Sequence, residues 1–399
     1  MVAVAFLSNG ALGQGTFDNL GPGLTASGAS ANGDLVVGTS PSEDFYWTEE
    51  TGVVLVGGTS AGNGVGGQAK VSDDGTRMVG TVLNGSSGLY EMGICLLDSG
   101  AEWVPLGGIG SSSGGEASSG WGISGDGSTA VGLGWISAGG AHAIRSVDLA
   151  APTDLGSTVK GRSSRANGCD ADGSVVVGWQ DSTSGFRQGA VWNEGLQTLI
   201  TLASSGSALG EAAACSADGS WVVGSGVSTN GWNAWRWSSE TGGVNIGTPP
   251  SFGWRGASVD ISADGSTIVG FYRPFPGPAT FGRGFIWNEE DGQQDLTDLA
   301  IARGIEIPTG VILALPLGIS SDGTTVVGIA RGPSGTFGFR LQFGVDCPAD
   351  FDGDGTVSGG DLATLLAAWG TTNPKIDLTG DGVVGGDDLA VLLSAWGDC

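Results

Sequence analysis

Two stretches near the C-terminus carry oxygen-bearing side chains at a spacing suited to a hard cation. In the first, Asp350, Asp352 and Asp354 stand two residues apart, and Asp361 falls at the twelfth position. Carboxylates at positions 1, 3 and 5 put oxygen ligands on one side of a calcium ion, and Gly355 at position 6 permits the sharp turn. Thr356 at position 7 offers its backbone carbonyl, Ser358 at position 9 can ligate through water, and Asp361 closes the shell. The second stretch lies 27 residues further on, with Asp377, Thr379, Asp381, Val383 and Asp388 in the matching places. Thr379 is a neutral ligand, Val383 supplies only its carbonyl, and Gly385 at position 9 has no side chain. Two calcium sites are expected, the second weaker.

These loops need elements to hold them. Each opens an apolar-periodic segment, Asp361–Trp369 and Asp388–Trp396, in which Leu and Trp recur at i, i+3, i+4 and i+7. That pattern predicts two short helices with one apolar face each. Leu365, Leu366, Leu392 and Leu393 are expected to pack between the helices. Val357 at loop position 8 is apolar, as expected where two loops pair. Cys347 and Cys399 bracket the segment, and a disulfide between them would tie its ends in an oxidising compartment. The segment resembles a dockerin module, in the version ending in Gly-x-Cys; here the end is Gly397-Asp398-Cys399. The resemblance implies docking onto a cohesin-like surface partner. Loop positions 10 and 11 are Gly359-Gly360 and Gly386-Asp387, where cellulosomal dockerins carry Ser/Thr-type pairs, so the partner's identity is left open.

The rest of the chain is built from a repeat. A ten-residue phrase recurs seven times, first as Ala29-Ser-Ala-Asn-Gly-Asp-Leu-Val-Val-Gly38 and last as Ile319-Ser-Ser-Asp-Gly-Thr-Thr-Val-Val-Gly328. Its turn glycines are Gly33, Gly75, Gly127, Gly173, Gly219, Gly265 and Gly323, a period of about 48. Asp-Gly is a strong hairpin turn because both central residues tolerate positive φ. The β-branched run after it favours a strand, and the closing Gly allows a bend or a close backbone approach. Most repeats then run into an apolar strand ending in Trp, such as Phe45-Tyr-Trp47 and Phe285-Ile-Trp287, and then a fourth short strand.

Four strands in 40 to 50 residues is the unit of a propeller blade, and blades must stack to bury their faces. The expected fold is all-β, a seven-bladed β-propeller over residues 14–344, with a small helical paired-loop domain over 345–399. Phe17-Asp-Asn-Leu20 resembles a fourth strand ahead of the first phrase, so residues near 16–20 are expected to complete the last blade. An open β-solenoid is the competing architecture. The phrases resemble the HAF-type extracellular repeat family, which implies a secreted β-rich domain and brings no catalytic motif.

Composition narrows the function. Of 399 residues 78 are Gly and 40% are hydrophobic, which suits a turn-rich β protein. With 41 acidic and 15 basic residues the net charge is −26, a poor match for nucleic acid or an anionic membrane. No segment is apolar over the roughly 18 residues that a membrane span requires. Residues 1–13 read as the stump of a signal peptide, with Ala11-Leu12-Gly13 as its cleavage site; a leader of this length and a longer one from an earlier start codon are the two alternatives. His142 cannot build a zinc cluster alone. Gly107-Gly108-Ile109-Gly110 lacks the Lys and helix of a phosphate loop. The five cysteines are odd in number; Cys169 and Cys215 replace the Ile of other phrases and read as small buried hydrophobes, while Cys95 has no assigned role. Asp74, Asp126, Asp172, Asp218, Asp264 and Asp322 read as turn acceptors. Trp47, Trp192, Trp237 and Trp287 read as blade core, and Trp121, Trp135, Trp179, Trp232 and Trp254 as freer to meet a ligand.

The expected function is a secreted, non-enzymatic surface or binding protein, displayed outside the cell through a calcium-dependent module. The alternative is a carbohydrate-active propeller, lectin or glycosidase or lyase, on the same anchor. Its enzymatic form needs two converging carboxylates.

Overall fold

The computed structural model describes residues 15–59, 66–137, 139–227, 231–344, 348–351 and 356–398. The leader at 1–13, Asp352, Asp354 and the Cys347–Cys399 pair lie outside them. Contacts divide the chain: residues 17–299 with 307–341 form one unit, and 300–306 with 342–398 belong to another.

The repeated phrase builds one turn many times. In Ser72-Asp73-Asp74-Gly75, the Gly75 N–H donates to the Ser72 carbonyl at 3.0 Å and the Ser72 N–H to Arg77 at 2.9 Å. Asp74 Oδ1 accepts the Ser72 hydroxyl at 2.7 Å and the Thr76 N–H at 2.9 Å. The same pair of bonds recurs at Asp126, Asp218, Asp264 and Asp322. In the fourth phrase Asp170 replaces the Ser and accepts the Val175 N–H itself. Only the glycine of each turn is left-handed, with φ between 66° and 79°, so the expectation of two positive φ values is corrected. The aspartate is selected by its side-chain acceptor rather than by its backbone. The closing glycine is a close approach. A Cβ at Gly132 would sit 1.9 Å from the Ser119 carbonyl oxygen, and one at Gly178 2.0 Å from that of Arg165.

Around these turns the strands form antiparallel meanders. Five sheets are four-stranded. A sixth is two four-stranded meanders joined by the Ser225–Ala257 bridge. In chain order the meanders begin at Thr25, Lys70, Ser118, Ser164, Ala212, Trp254 and Ile312. The seventh has only three consecutive strands, Ile312–Ile319, Thr325–Gly332 and Gly335–Gln342; its fourth is Thr16–Pro22 from the other end of the unit. The expected closing strand is therefore present. Arg340 on the penultimate strand is 7% exposed and bonds Asp18 on the closing strand at 2.9 Å and the Gly33 carbonyl at 2.8 Å.

The first strands touch one another in a cycle, from the first meander through to the seventh and back to the first. Backbone carbonyls one residue before each turn Asp or Asn accept bonds along the same circuit. Ala31 donates to Asp73, Asp73 to Gly125, Asp126 to Ala171, Ala171 to Ala217, Ala217 to Ala263, Ala263 to Ser321, and Asp322 back to Ala31, all at 2.8–3.0 Å. A solenoid would leave the two ends of this series unpaired. Between neighbouring meanders lie the hydrophobic clusters, such as Val79, Met92 and Ile94 against Ala130 and Ile144. Each such fully buried aliphatic contributes about 1.5–3 kcal/mol. Among the described residues no helix is long and apolar enough to cross a membrane.

Candidate functional site

The C-terminal segment folds as two loop–helix units. Helices span Gly359–Ala367 and Gly386–Ser394. Asp361 and Asp388, at loop position 12, are fully buried. Asp361 accepts the Phe351 N–H at 2.6 Å and the Ser358 N–H at 2.8 Å. Asp388 accepts the Gly385 N–H at 2.7 Å, and the Thr379 N–H and hydroxyl at 3.0 and 3.1 Å. Each carboxylate thus caps its helix and pins the start of its loop. The Gly385 N–H and the Thr379 donors hold Asp388 below the usual carboxylate range. Asp377 accepts the N–H groups of Gly380 and Gly382, both at 2.8 Å, and Asp381 that of Val383 at 2.9 Å.

Among the described residues no three His, Cys, Asp or Glu side chains form a metal-sized group. In the second loop Asp377, Thr379, Asp381, the Val383 carbonyl and Asp388 are all hard oxygen donors, the chemistry calcium takes. Residues 345–399 hold ten acidic side chains and one basic, Lys375. A divalent cation fits that balance.

The pairing of the loops differs from expectation. Thr356–Val357 pairs with Gly397–Asp398 at the end of the chain. Val384 of the second loop bonds Gly370 and Thr371 behind the first helix, at 2.8 and 2.9 Å. The loops thus clasp the ends of each other's helices, and Val357, Leu365, Ile376, Val384 and Leu392 close the core. Leu366 and Leu393 are not in it. They are each 52% exposed, beside Trp369 at 47% and Trp396 at 50%. Helical spacing puts Leu-Leu pairs on one broad face and cannot say which leucine turns out. The core is complete without these four.

In the larger unit the first strands surround an axial cavity of about 220 Å³. Six of the seven carry a bulge at the same place, one residue before Gly28, Gly122, Gly168, Ala214, Asp260 and Gly318. A bulge aims consecutive side chains at one side, so Val259, Asp260 and Ile261 all line the axis. Five residues before each turn glycine the chain has Gly28, Lys70, Gly122, Gly168, Ala214, Asp260 and Gly318. The strands converge there: a Cβ at Gly122 would lie 2.8 Å from Gly168 Cα. The two large exceptions meet as an ion pair, Lys70 Nζ to Asp260 Oδ2 at 2.9 Å, with Lys70 also donating to the Leu317 carbonyl at 3.1 Å. Asp73 reaches the Ser321 hydroxyl. Towards the other mouth, Trp121, Arg165, Trp179 and Arg187 stack alternately, with Arg165 3.7 Å from the Trp121 ring centre and Arg187 4.0 Å from that of Trp179. Glu211 bridges both arginines. Burial, and then the neighbouring Arg187, bring the Arg165 guanidinium down to about 10 against the opposing pull of Glu211.

Trp192 and Trp287 are buried, and Trp47 and Trp237 pack half-buried against the core. Trp179, expected nearer the surface, is buried, because its ring is clasped by the two arginines. Trp121, Trp135 and Trp254 are half-buried; the side chain of Trp232 lies outside the described residues. His142 bonds Asp154 at 2.9 Å. Cys169 and Cys215 each pack against a different inter-meander cluster, and burial raises both thiols well above their ordinary range.

No family model matches the chain, and no curated protein does. Solved structures do. An oligogalacturonate lyase from Vibrio parahaemolyticus is 12% identical with a TM-score of 0.51, over 82% of this chain and 93% of its own. The β-propeller domain of a protease from Pyrococcus furiosus, described as having an open velcro topology, is 8% identical with a TM-score of 0.50, over 80% and 95%. TolB from Acinetobacter baumannii is more distant, 14% identical at a TM-score of 0.40, over 80% of this chain and 63% of its own. At such identities the first two define the fold alone: the larger unit is of the β-propeller class.

Proposed function

We propose that the chain is a secreted, non-enzymatic binding protein, a seven-bladed propeller held at a surface by a calcium-dependent dockerin-like module. Each four-stranded meander is read as one blade and residues 345–399 as the tether. The supporting observation is the pair of exposed Leu–Trp couples, Leu366/Trp369 and Leu393/Trp396, at matching positions of two helices whose core is already closed. Duplicated apolar side chains left in water are the mark of a docking face. The occupant proposed is a cohesin-like surface protein. Calcium, one ion per loop, would be held by Asp350, Asp352, Asp354, Thr356, Ser358 and Asp361, and more weakly by Asp377, Thr379, Asp381, Val383 and Asp388.

The enzymatic reading is less well supported. The carboxylates lining the axial cavity are Asp73, Asp170 and Asp260, and each is engaged, with Ser321, with Val175 and Ser174, and with Lys70. Calorimetry on the full chain should show calcium heat that EGTA abolishes, and the chain should leave native cell surfaces on EGTA treatment. The Leu366→Asp, Leu393→Asp variant should bind calcium and not the surface. Absence of calcium heat, or surface retention by that variant, would overturn the tether.

A further inference from the structure

We propose that the propeller binds a carboxylate- or sulfate-bearing oligosaccharide on its sixth and seventh meanders, at the end opposite the Asp-Gly turns. It rests on the reading of the propeller as the binding part of the chain, and it names the ligand class and the site. In an antiparallel meander the first and third turns share one end. At that end the turns hold the repeat aspartates and pairs such as Glu49-Glu50 and Glu289-Glu290, and the guanidinium groups of Arg77 and Arg340 that reach it donate to the turn carbonyls of Gly127 and Gly33. The other end of the sixth and seventh meanders has the opposite character. Arg255 and Arg273 face each other across two strands, a like-charge pairing that costs stability. The Arg255 guanidinium lies 3.3 Å from the Phe275 ring centre and that of Arg273 5.7 Å from it. Arg331 lies 5.5 Å from the Phe281 ring centre.

Two features point to an anionic ligand. First, Arg273 and Arg331 have no carboxylate in ion-pair range among the described residues, whereas Arg165, Arg187, Arg236, Arg283 and Arg340 each have one; Arg77, Arg145, Arg162 and Arg303 share that lack, but Arg273 and Arg331 combine it with exposed phenyl rings at their side. In a chain of 41 acidic residues, carboxylates are not scarce. Second, the heads are held in place. Arg273 donates to the Gly277 carbonyl and Arg331 to that of Thr280 at 2.6 Å, both on the loop that carries the two phenylalanines. A guanidinium has five donors, so most of each fork is left for a planar anion, which Arg binds bidentately. Phe275 and Phe281, 46% and 57% exposed, add flat apolar faces between the forks. Alternating forks and rings suit a sugar that offers both an acidic group and an apolar ring face. A small arginine patch on a chain of net charge −26 does not suit a nucleic acid, which needs dense cationic contact along its phosphates.

The test uses the full chain with calcium, titrated calorimetrically with four probes. These are a hyaluronan tetrasaccharide (carboxylate), a chondroitin sulfate tetrasaccharide (carboxylate and sulfate), chitotetraose (neutral) and oligo-dT. One or both acidic saccharides should bind with salt-sensitive affinity, the neutral one at least tenfold more weakly. Preference between the two acidic probes separates carboxylate from sulfate recognition. Arg273→Gln with Arg331→Gln should reduce affinity at least tenfold. Arg273→Lys, which keeps charge but not the fork, should lose affinity with an unchanged melting temperature. Phe275→Ala should weaken all acidic saccharides alike. No acidic saccharide bound, variants that bind as the parent does, or oligo-dT bound in their place would each overturn the proposal. Saccharide binding that persists in EGTA while surface attachment fails separates this site from the tether.

Discussion

Replacing Asp44 by Asn should change how stability depends on pH. Asp44 is 1% exposed and its Oδ2 has no hydrogen-bond partner. It is held in a niche made by two glycines: a Cβ at Gly58 or Gly80 would lie 2.3 or 2.8 Å from Oδ2. Burial, with the adjacent Glu43 charge, pushes its carboxyl up to about 8 from 3.8. The acid is therefore neutral in the folded protein at pH 7 and ionised in the unfolded chain. Below the unfolded value the two states bind the same proton and nothing is lost. As pH rises from there to about 8, stability falls by about 1.4 kcal/mol per pH unit, and above that the loss is complete. At pH 7 it amounts to about 4 kcal/mol. Asn has the same shape and does not titrate. Urea unfolding followed by tryptophan fluorescence, in unit steps from about pH 4.5 to about pH 8.5, would measure both proteins. The stability gap between variant and parent should widen by about 1.4 kcal/mol per unit and flatten near pH 8. The slope is diagnostic even if the buried amide adds a constant cost. Parallel profiles would refute the reasoning.

Three further outcomes follow from the geometry. Gly132→Ala should destabilise the propeller by at least about 2 kcal/mol, because the Ser119 carbonyl 1.9 Å from the new Cβ is backbone; an unchanged melting temperature would show that the strands can spread. Asp18→Ala should cost roughly 2 kcal/mol in equilibrium unfolding, since it strips a buried guanidinium, Arg340, of its closing-strand partner. Asp388→Ala should remove the weaker of two calcium heats in calorimetry and keep the stronger, because its loop contacts are all within the second unit.

The repeat was legible because seven copies state the same local rule, and the closing strand because Phe17-Asp-Asn-Leu20 looked like a fourth strand without its first three. The axis was not legible. A bulge sits in six of the first strands, so simple alternation misassigns which residues face the cavity. Lys70 and Asp260 are 190 residues apart in the chain, and no local pattern joins them. Asp44 follows Ser-Pro-Ser-Glu in what reads as a polar loop; only the stacking of the next meander buries it. The two loop–helix units were legible as spacing, whereas the outward turn of Leu366 and Leu393 was not, since adjacent leucines satisfy the same helical stripe.

Repetition also supplies a way to weigh the departures from it. Where seven copies meet one folding demand, a substitute that meets the same demand carries no message about function. Asp170 in place of Ser is of that kind, because it accepts the same N–H as the hydroxyl does elsewhere. Cys169 and Cys215 in place of Ile are too, since both pack into the clusters that Ile123 and Ile261 fill between other meanders. Lys70 with Asp260 is different: it puts charge where the other copies have Gly or Ala, but the two charges meet as an ion pair and neutralise each other at the axis. Arg273 and Arg331 occupy equivalent places eight residues after their turn glycines, where Leu83, Trp135 and Asp181 stand in other copies. No shared demand calls for arginine there, and the described carboxylates of the chain leave both without an ion-pair partner. Both heads tie down the loop carrying Phe275 and Phe281 through single carbonyl bonds, and it is the rest of each fork, which no described carboxylate neutralises, that the proposed anionic ligand accounts for.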